Sequence, residues 1–322
     1  MVLDTDIGGD VDDVIALAFC ALHPRIDLLC VTTVNGDCER RARLARSLLD
    51  LLGCGDVPVG VGASVGLSGR GHDTMPAGLN HGADLIDATK LVPTSASTVL
   101  SAALEQAPGP VEVCTIGAVT NVAATLSARP DLLDRVAGLH VMGGCLGPVS
   151  FGDGGDPPGD PFSETNLGGD PLATAILWAL PLPMRLVPLD VTMPLAFTND
   201  DRATIAGAGP VGRVLGGLMD EYLAVERQAG ARPAELAAVR LHDPLTVVGL
   251  AVPEVETVQL RHLAAFGSPG KVRTVDAAHG TAGGRVPRRR RSPSAGGACR
   301  DPGRLTYSSV RRGASPQSDS SR

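Results

Sequence analysis

The stretch that decides the fold is residues 1–24, MVLDTDIGGDVDDVIALAFCALHP. Val2 to Asp6 reads as a short buried strand. Gly8 and Gly9 allow a sharp bend. Asp13 to Leu22 reads as a helix, with Asp12 or Asp13 as N-cap and Val14, Leu17 and Ala18 on its apolar face. Strand, glycine turn and helix form the opening unit of a parallel α/β sheet. The same stretch holds five aspartates, Asp4, Asp6, Asp10, Asp12 and Asp13, and the first basic side chain after them is Arg25.

The unit repeats along the chain. IDLLCVTTV (26–34) is an apolar β-branched run bounded by Asn35-Gly36-Asp37, and Glu39 to Leu52 is helical, ending at Gly53. The Arg40–Arg46 cluster on that helix reads as a solvated face. VEVCTIG (111–117) and LHVMGG (139–144) read as further strands, with a helix over Asn121 to Leu126 between them. A Gly/Pro/Asp-rich loop from Cys145 to about Glu164 follows, and loops of that length carry function or are disordered. Asp170 to Ala179 is expected to be a helix, MRLVPLDV (184–191) a strand, Asn199 to Gln228 two or more helices, and Asp243 to Leu250 another. The fold class expected is α/β, an open, mostly parallel, doubly wound (Rossmann-like) sheet with extra helices. Ligands bind such sheets beyond the carboxyl ends of the strands. Asp4, Asp6, Asn35, Asp37, Thr120, Asn121 and Asp190 stand there.

The 322 residues are 43% hydrophobic and only 2% aromatic, so the core is built from Ala, Val, Leu and Ile. No apolar run approaches the ~20 residues of a membrane span. No signal-like segment precedes the acidic cluster, which makes the cytoplasm the expected compartment. The seven cysteines are scattered without a CxxC pair and read as reduced, buried thiols. The net charge of −7 conceals an asymmetry. Gly280 to Arg322 holds ten arginines and two aspartates, a net of +8, against 18 basic and 33 acidic residues elsewhere. Two parts are therefore expected: an α/β domain over 1–273, shortened at its C-terminal end, and a basic Arg/Ser/Gly/Pro-rich tail over 274–322, disordered or translated out of frame. The tail lacks the interleaved aromatics of a nucleic-acid-binding arm.

Carboxylates gathered at a strand end need counter-charge. With no Arg or Lys nearby in sequence, a hard divalent cation is the natural partner, and Ca²⁺ accepts six to eight oxygens. Three other readings compete. Any one aspartate can serve as a helix cap that favours the dipole. DxDxGxD resembles an EF-hand loop, but Ile15 stands at its twelfth position and no helix precedes it. Asp4-Thr5-Asp6 after a strand also suits a haloacid-dehalogenase-like phosphatase, although a convincing later acidic pair is missing.

DTDIGGDVDD (4–13), VTTVNGD (31–37), NHGAD (80–84), GAVTNVA (117–123), MGG (142–144), ETN (164–166), PLDVT (188–192) and LHDPLTVVGLAVPEV (241–255) occur in order. Together they strongly resemble the inosine–uridine-preferring nucleoside hydrolases. The resemblance implies calcium-dependent hydrolysis of the N-glycosidic bond of ribonucleosides in a homo-oligomer, a dimer or tetramer, with no nucleic acid or membrane partner. Aligned from both ends of the opening motif, Asp6 corresponds to the metal ligand that activates water, Asp12 to a ribose-binding aspartate and Asp13 to a bidentate metal ligand. Asp10 falls in an insertion and inherits no role. Val119 corresponds to a carbonyl metal ligand and Asp243 to the last carboxylate ligand. Glu164 and Asn166 match a ribose-binding pair, and His81 and His242 match active-site histidines, His242 the one that protonates the leaving base. Asp37 stands where relatives carry a ribose-contacting asparagine. Tyr222 and Arg227 lie where relatives contact the base, although a tyrosine there is as often a packing residue. Pro158 replaces an expected asparagine six residues before Glu164, and His279 has no assigned role. A degenerate member that binds a ribosyl ligand without turnover is the non-catalytic alternative. The basic tail replaces the family's last strand and helix, which predicts an exposed sheet edge.

Overall fold

The computed structural model describes residues 1–67, 69, 81–87, 94–146, 164–231, 233, 235–268, 271–276 and 304–310, with side chains to residue 255. Most of the long loop after Cys145, Pro158 and His279 lie outside them. The first half alternates β1 (Val2–Thr5), α1 (Asp12–Leu22), β2 (Cys30–Thr33), α2 (Cys38–Leu51), β3 (Val59–Val61), α3 (Ala96–Gln106), β4 (Val111–Thr115), α4 (Thr120–Ala128) and β5 (Val136–Met142). Then come α5 (Thr165–Gly169), α6 (Pro171–Ala179), β6 (Met184–Val187), α7 (Leu189–Thr192), β7 (Ala196–Phe197), α8 (Asn199–Gly207) and α9 (Gly209–Gln228). The chain continues through β8 (Val239–Arg240), α10 (His242–Ala251), β9 (Glu256–Ser268), β10 (Lys271–Asp276) and β11 (Arg304–Val310). No described helix is long and apolar enough to cross a membrane.

The nine-stranded sheet runs β10-β9-β11-β6-β5-β4-β1-β2-β3, parallel from β11 to β3. The expected α/β architecture is therefore present. The chain winds outward from β1 to β3, then returns to the other side of β1 as β4. Asp4 pairs with Thr32 on one side and Thr115 on the other. The crevice between β1 and β4 is thus the topological switch point, where α/β sheets bind ligands.

Side-chain alternation divides the core. Leu3, Val31 and Ile116 pack with α1, α2 and α9 in one cluster, while Val2, Cys30, Val113 and Leu139 pack with α3, α4 and α6 in the other. The described cysteines are free, and Cys20, Cys30, Cys38, Cys114 and Cys145 are buried, as expected.

Several elements differ from the sequence reading. The expected strand over 184–191 stops at Val187, because Pro188 cannot donate to a ladder and the chain turns into α7. Helix α1 starts one residue early with Val11 at its N-cap position and no side-chain cap, so neither Asp12 nor Asp13 caps its own helix. Arg41 corrects the solvated-face reading: it is 1% exposed, because it shares the inward stripe of α2 with Leu44, Ala45 and Leu48. Arg304–Val310, inside the segment composed like a tail, forms β11 between β6 and β9. Its main chain takes up the hydrogen bonds that the outer edge of β6 would otherwise leave open.

Asn121, at the start of α4, ties the strand ends together. Its Nδ2 donates to Asp4 Oδ1 at 2.8 Å and to the Thr33 carbonyl at 2.9 Å, and its Oδ1 accepts from Ala63 N at 2.9 Å. Gly62 makes this possible: a Cβ there would lie 2.0 Å from the Thr33 carbonyl oxygen and 2.3 Å from Asn121 Nδ2. Asn121→Ala removes three hydrogen bonds, two of them to buried partners, so it is expected to cost about 3 kcal/mol in urea-melt stability. A loss below about 0.5 kcal/mol, the level of a neutral surface change, would show that these bonds are dispensable.

Candidate functional site

A cavity of about 230 Å³ opens beyond the carboxyl ends of β1, β4 and β5. Asp6, Asp10, Asp12 and Asp13 line it from the β1–α1 turn, Glu164 and Asn166 from the start of α5, and His242 and Asp243 from the start of α10. Gly117, just past β4, gives Asp6 its room: a Cβ there would stand 2.9 Å from Asp6 N and 3.0 Å from Asp6 Oδ1.

Three carboxylates converge within this cavity. Oxygens of Asp12, Asp13 and Asp243 lie within 4.8 Å of one another, and all three residues are buried. Asp12 fixes this geometry. Its Oδ2 accepts from the main-chain N–H groups of His242 at 2.8 Å and Asp243 at 3.0 Å, capping α10 from the other end of the domain. That explains why Asp12 does not cap α1. The Thr5 hydroxyl donates to Asp13 Oδ1. Asp4 sits beneath, fully buried, and accepts from Thr32 Oγ1 at 2.5 Å and from Asn121.

Burial dominates the electrostatics. It raises the pKa of Asp4 to about 7 and that of Asp12 to about 6, against the hydrogen bonds that favour their charged forms. Burial, then the neighbouring carboxylates, also pushes Asp13 and Asp243 well above the usual range. The nearest described guanidinium, Arg41, is engaged with main-chain oxygens. Its Nη1 donates to the Asp6 carbonyl and, at 2.8 Å, to that of Ile7, while Nε donates to that of Asn35 at 2.7 Å. Arg41 thus pins the turn from behind without pairing with a cavity carboxylate. An all-oxygen, anionic donor set of this kind suits a hard divalent cation.

The remaining sequence-derived residues separate into two groups. Glu164 caps α5, accepting from Asn166 N at 2.7 Å and Leu167 N at 2.9 Å, and burial raises its pKa. Asn166 Nδ2 donates to the carbonyls of Ile116 at 3.0 Å and Met142 at 3.2 Å, so its amide oxygen is what it offers the cavity. His242 Nδ1 is 2.8 Å from Thr192 Oγ1. These three join the aspartates. Asp37 does not: it is exposed and caps α2 through Arg40 N at 3.1 Å. His81 is not among the lining residues: it is buried edge-on to Tyr222 with ring centroids 6.1 Å apart, and burial pushes its pKa down to about 4. Val119 is buried at the start of α4, and its carbonyl accepts from Ala123 N at 3.0 Å.

Two residues were not assigned to the site by sequence. Arg41 reads with the solvated Arg40–Arg46 face, and only its spacing from Leu44, Ala45 and Leu48 signals the inward stripe. Asp10, in the insertion, lines the cavity and accepts from the Tyr222 hydroxyl at 3.3 Å. No sequence signal pairs residue 10 with residue 222.

The sequence pattern of the inosine-uridine preferring nucleoside hydrolases matches residues 1–295. The non-specific ribonucleoside hydrolase RihC of Escherichia coli is 30% identical over 263 residues, 80% of each chain. Among solved structures, a plant nucleoside hydrolase superposes with a TM-score of 0.74 at 21% identity, covering 96% of this chain and 93% of that one. The purine-preferring ribonucleoside hydrolase of Gardnerella vaginalis gives 0.72 at 24% identity, covering 86% and 88%. These superpositions establish the shared fold, and the sequence match over most of the length places the chain in the inosine-uridine preferring nucleoside hydrolase family, enzymes that hydrolyse N-glycosidic bonds.

Proposed function

We propose that the chain splits ribonucleosides into free base and ribose at a calcium site held by Asp6, Asp12, Asp13 and Asp243, with the Val119 carbonyl as a further ligand. The observation that carries this reading is the convergence of Asp12, Asp13 and Asp243 within 4.8 Å in a cavity that also holds Glu164, Asn166 and His242. Buried like charges repel one another, and this all-oxygen donor set suits a hard divalent cation. A divalent cation bound there supplies Lewis-acid polarisation of a water and of the ribose diol.

The chain's own residues do the rest. Asp6 takes the proton of the attacking water. Asp12 and Glu164, both anchored by main-chain N–H groups, accept from ribose hydroxyls, and the Asn166 amide oxygen accepts a third bond. As the glycosidic bond breaks, positive charge grows on the ribose ring, and these fixed carboxylates stabilise it. His242 stands at the cavity edge, held through Nδ1 by Thr192, which leaves Nε2 to hand a proton to the departing base. Burial lowers the His242 pKa, which makes its imidazolium a stronger acid, while the Asp10 carboxylate opposes that shift.

The purified chain is expected to release base from inosine or uridine, to lose that activity to EDTA and to regain it with Ca²⁺. Asp243→Asn is expected to weaken cation binding and to cost at least about a hundredfold in kcat, on the scale of losing one electrostatic stabiliser. Phosphate release without base release, or ribose-dependent thermal stabilisation without turnover, would overturn the reading.

His242→Ala is expected to depress turnover of inosine far more than that of p-nitrophenyl riboside, whose leaving group departs without a proton. Equal losses on both would remove His242 as the acid.

The raised carboxyl pKa values also set a stability trend. A group whose folded pKa lies above its unfolded one stabilises the fold below the unfolded value and loses that contribution as pH rises through the folded value. For Asp4 and Asp12, the loss falls between the ordinary aspartate value of 3.8 and about 7. The cation-free Tm is therefore expected to fall from pH 5 to pH 8, and saturating Ca²⁺ to flatten or reverse the slope. A cation-free Tm that climbs over this range would contradict the assignment.

A further inference from the structure

A second cavity of about 210 Å³ adjoins the first, and Asp10 and His242 line both. It is the exit through which a leaving base would extend once ribose sits among Asp12, Glu164 and Asn166. Its apolar wall is made by Met193, Leu223 and Ala238. Among the described residues, carboxylates outnumber guanidinium groups on its polar wall. Asp10, Glu226 and Glu235 bring carboxylates, and Tyr222 has committed its hydroxyl hydrogen to Asp10 at 3.3 Å. Arg240 is the lining guanidinium, and its Nη1 already donates to the Met193 carbonyl at 2.9 Å.

Resting on the hydrolase reading above, we infer that this cavity selects ribonucleosides whose base carries an exocyclic amine over their oxo counterparts, with Glu226 as the discriminating residue. Asp10 stands at the mouth shared with the ribose site, whereas Glu226 lines the second cavity alone. C6 of a purine and C4 of a pyrimidine carry the exocyclic group that reaches farthest from the glycosidic bond. An amine there donates to Glu226. An oxo group at the same place sets its lone pairs against a carboxylate, a mismatch that costs both desolvation and repulsion. The cavity is polar and half open, so the discrimination is smaller than that of a sealed hydrogen-bonding pocket.

The test compares kcat/KM for adenosine with inosine, and for cytidine with uridine, on the full chain with saturating Ca²⁺. Each pair shares its ribose and differs at the exocyclic substituent and the adjoining ring nitrogen. The amino member is expected to lead by at least about tenfold in both pairs. Glu226→Gln, which offers donor and acceptor alike, is expected to shrink the ratio to within about threefold, and Glu226→Lys to invert it. Equal rates, or an oxo preference, in the unaltered chain would overturn the inference while leaving the hydrolase reading intact. Unchanged ratios in both Glu226 variants would overturn the assignment of Glu226. If none of the four nucleosides is hydrolysed, the hydrolase reading itself fails and the selectivity falls with it.

Discussion

The carboxylate of Asp12, shared between the N–H groups of His242 and Asp243, is the interaction on which the rest of the site depends. It joins the first helix of the domain to α10 across more than two-thirds of the chain. Without it, α10 would begin with buried, unsatisfied donors, and Asp243 and His242 would have no fixed position over the β1–α1 turn. One side chain thus closes the capping requirement of a helix and assembles the acidic cluster. The N-termini of α1 and α10 also aim their dipoles at the carboxylates they carry, which favours negative charge there.

That assembly is held against repulsion. Asp4, Asp6, Asp12, Asp13 and Asp243 are all at most 5% exposed, and burial pushes the pKa of Asp4, Asp12, Asp13 and Asp243 upward. Neutral donors offset part of the cost: Thr5, Thr32 and Asn121 each donate to one of these groups. Arg41 contributes by fixing main-chain carbonyl oxygens through Nη1 and Nε, and its charge lowers the pKa of Asp13 against the burial that raises it. A fully paired cluster would be more stable and would have nothing left with which to bind a cation or a diol. Stability given up at a functional site is the usual trade.

On the proposed reading, the two adjoining cavities divide the work. The first holds the residues assigned to ribose and cation binding. The second draws on α9, on Arg240 and on the inserted Asp10, none of which is needed to hold a ribose. Among the described lining residues the cavities share Asp10 and His242, so on this reading base preference can change without disturbing the acidic cluster.

By itself, the sequence determined the strand–helix alternation, the placing of polar residues at the carboxyl ends of the strands and most of the acidic residues. Each of these follows from local facts: apolar β-branched runs, glycine turns, and polar residues placed just after strands. Asp6, Asp12, Asp13, Glu164, Asn166, His242 and Asp243 were all legible as motif residues and all line one cavity. Asp37 was equally legible and lies elsewhere, because its carboxylate is taken by the first turn of α2. Only the tertiary structure decided that Asp12 caps a helix 230 residues away, that Arg41 turns inward, that Asp10 meets Tyr222, and that Arg304–Val310 closes the edge of β6. The reason is the same in each case: these partners are chosen by which buried donor, acceptor or strand edge is left open after the layers pack, and that is not a property of any short stretch of chain.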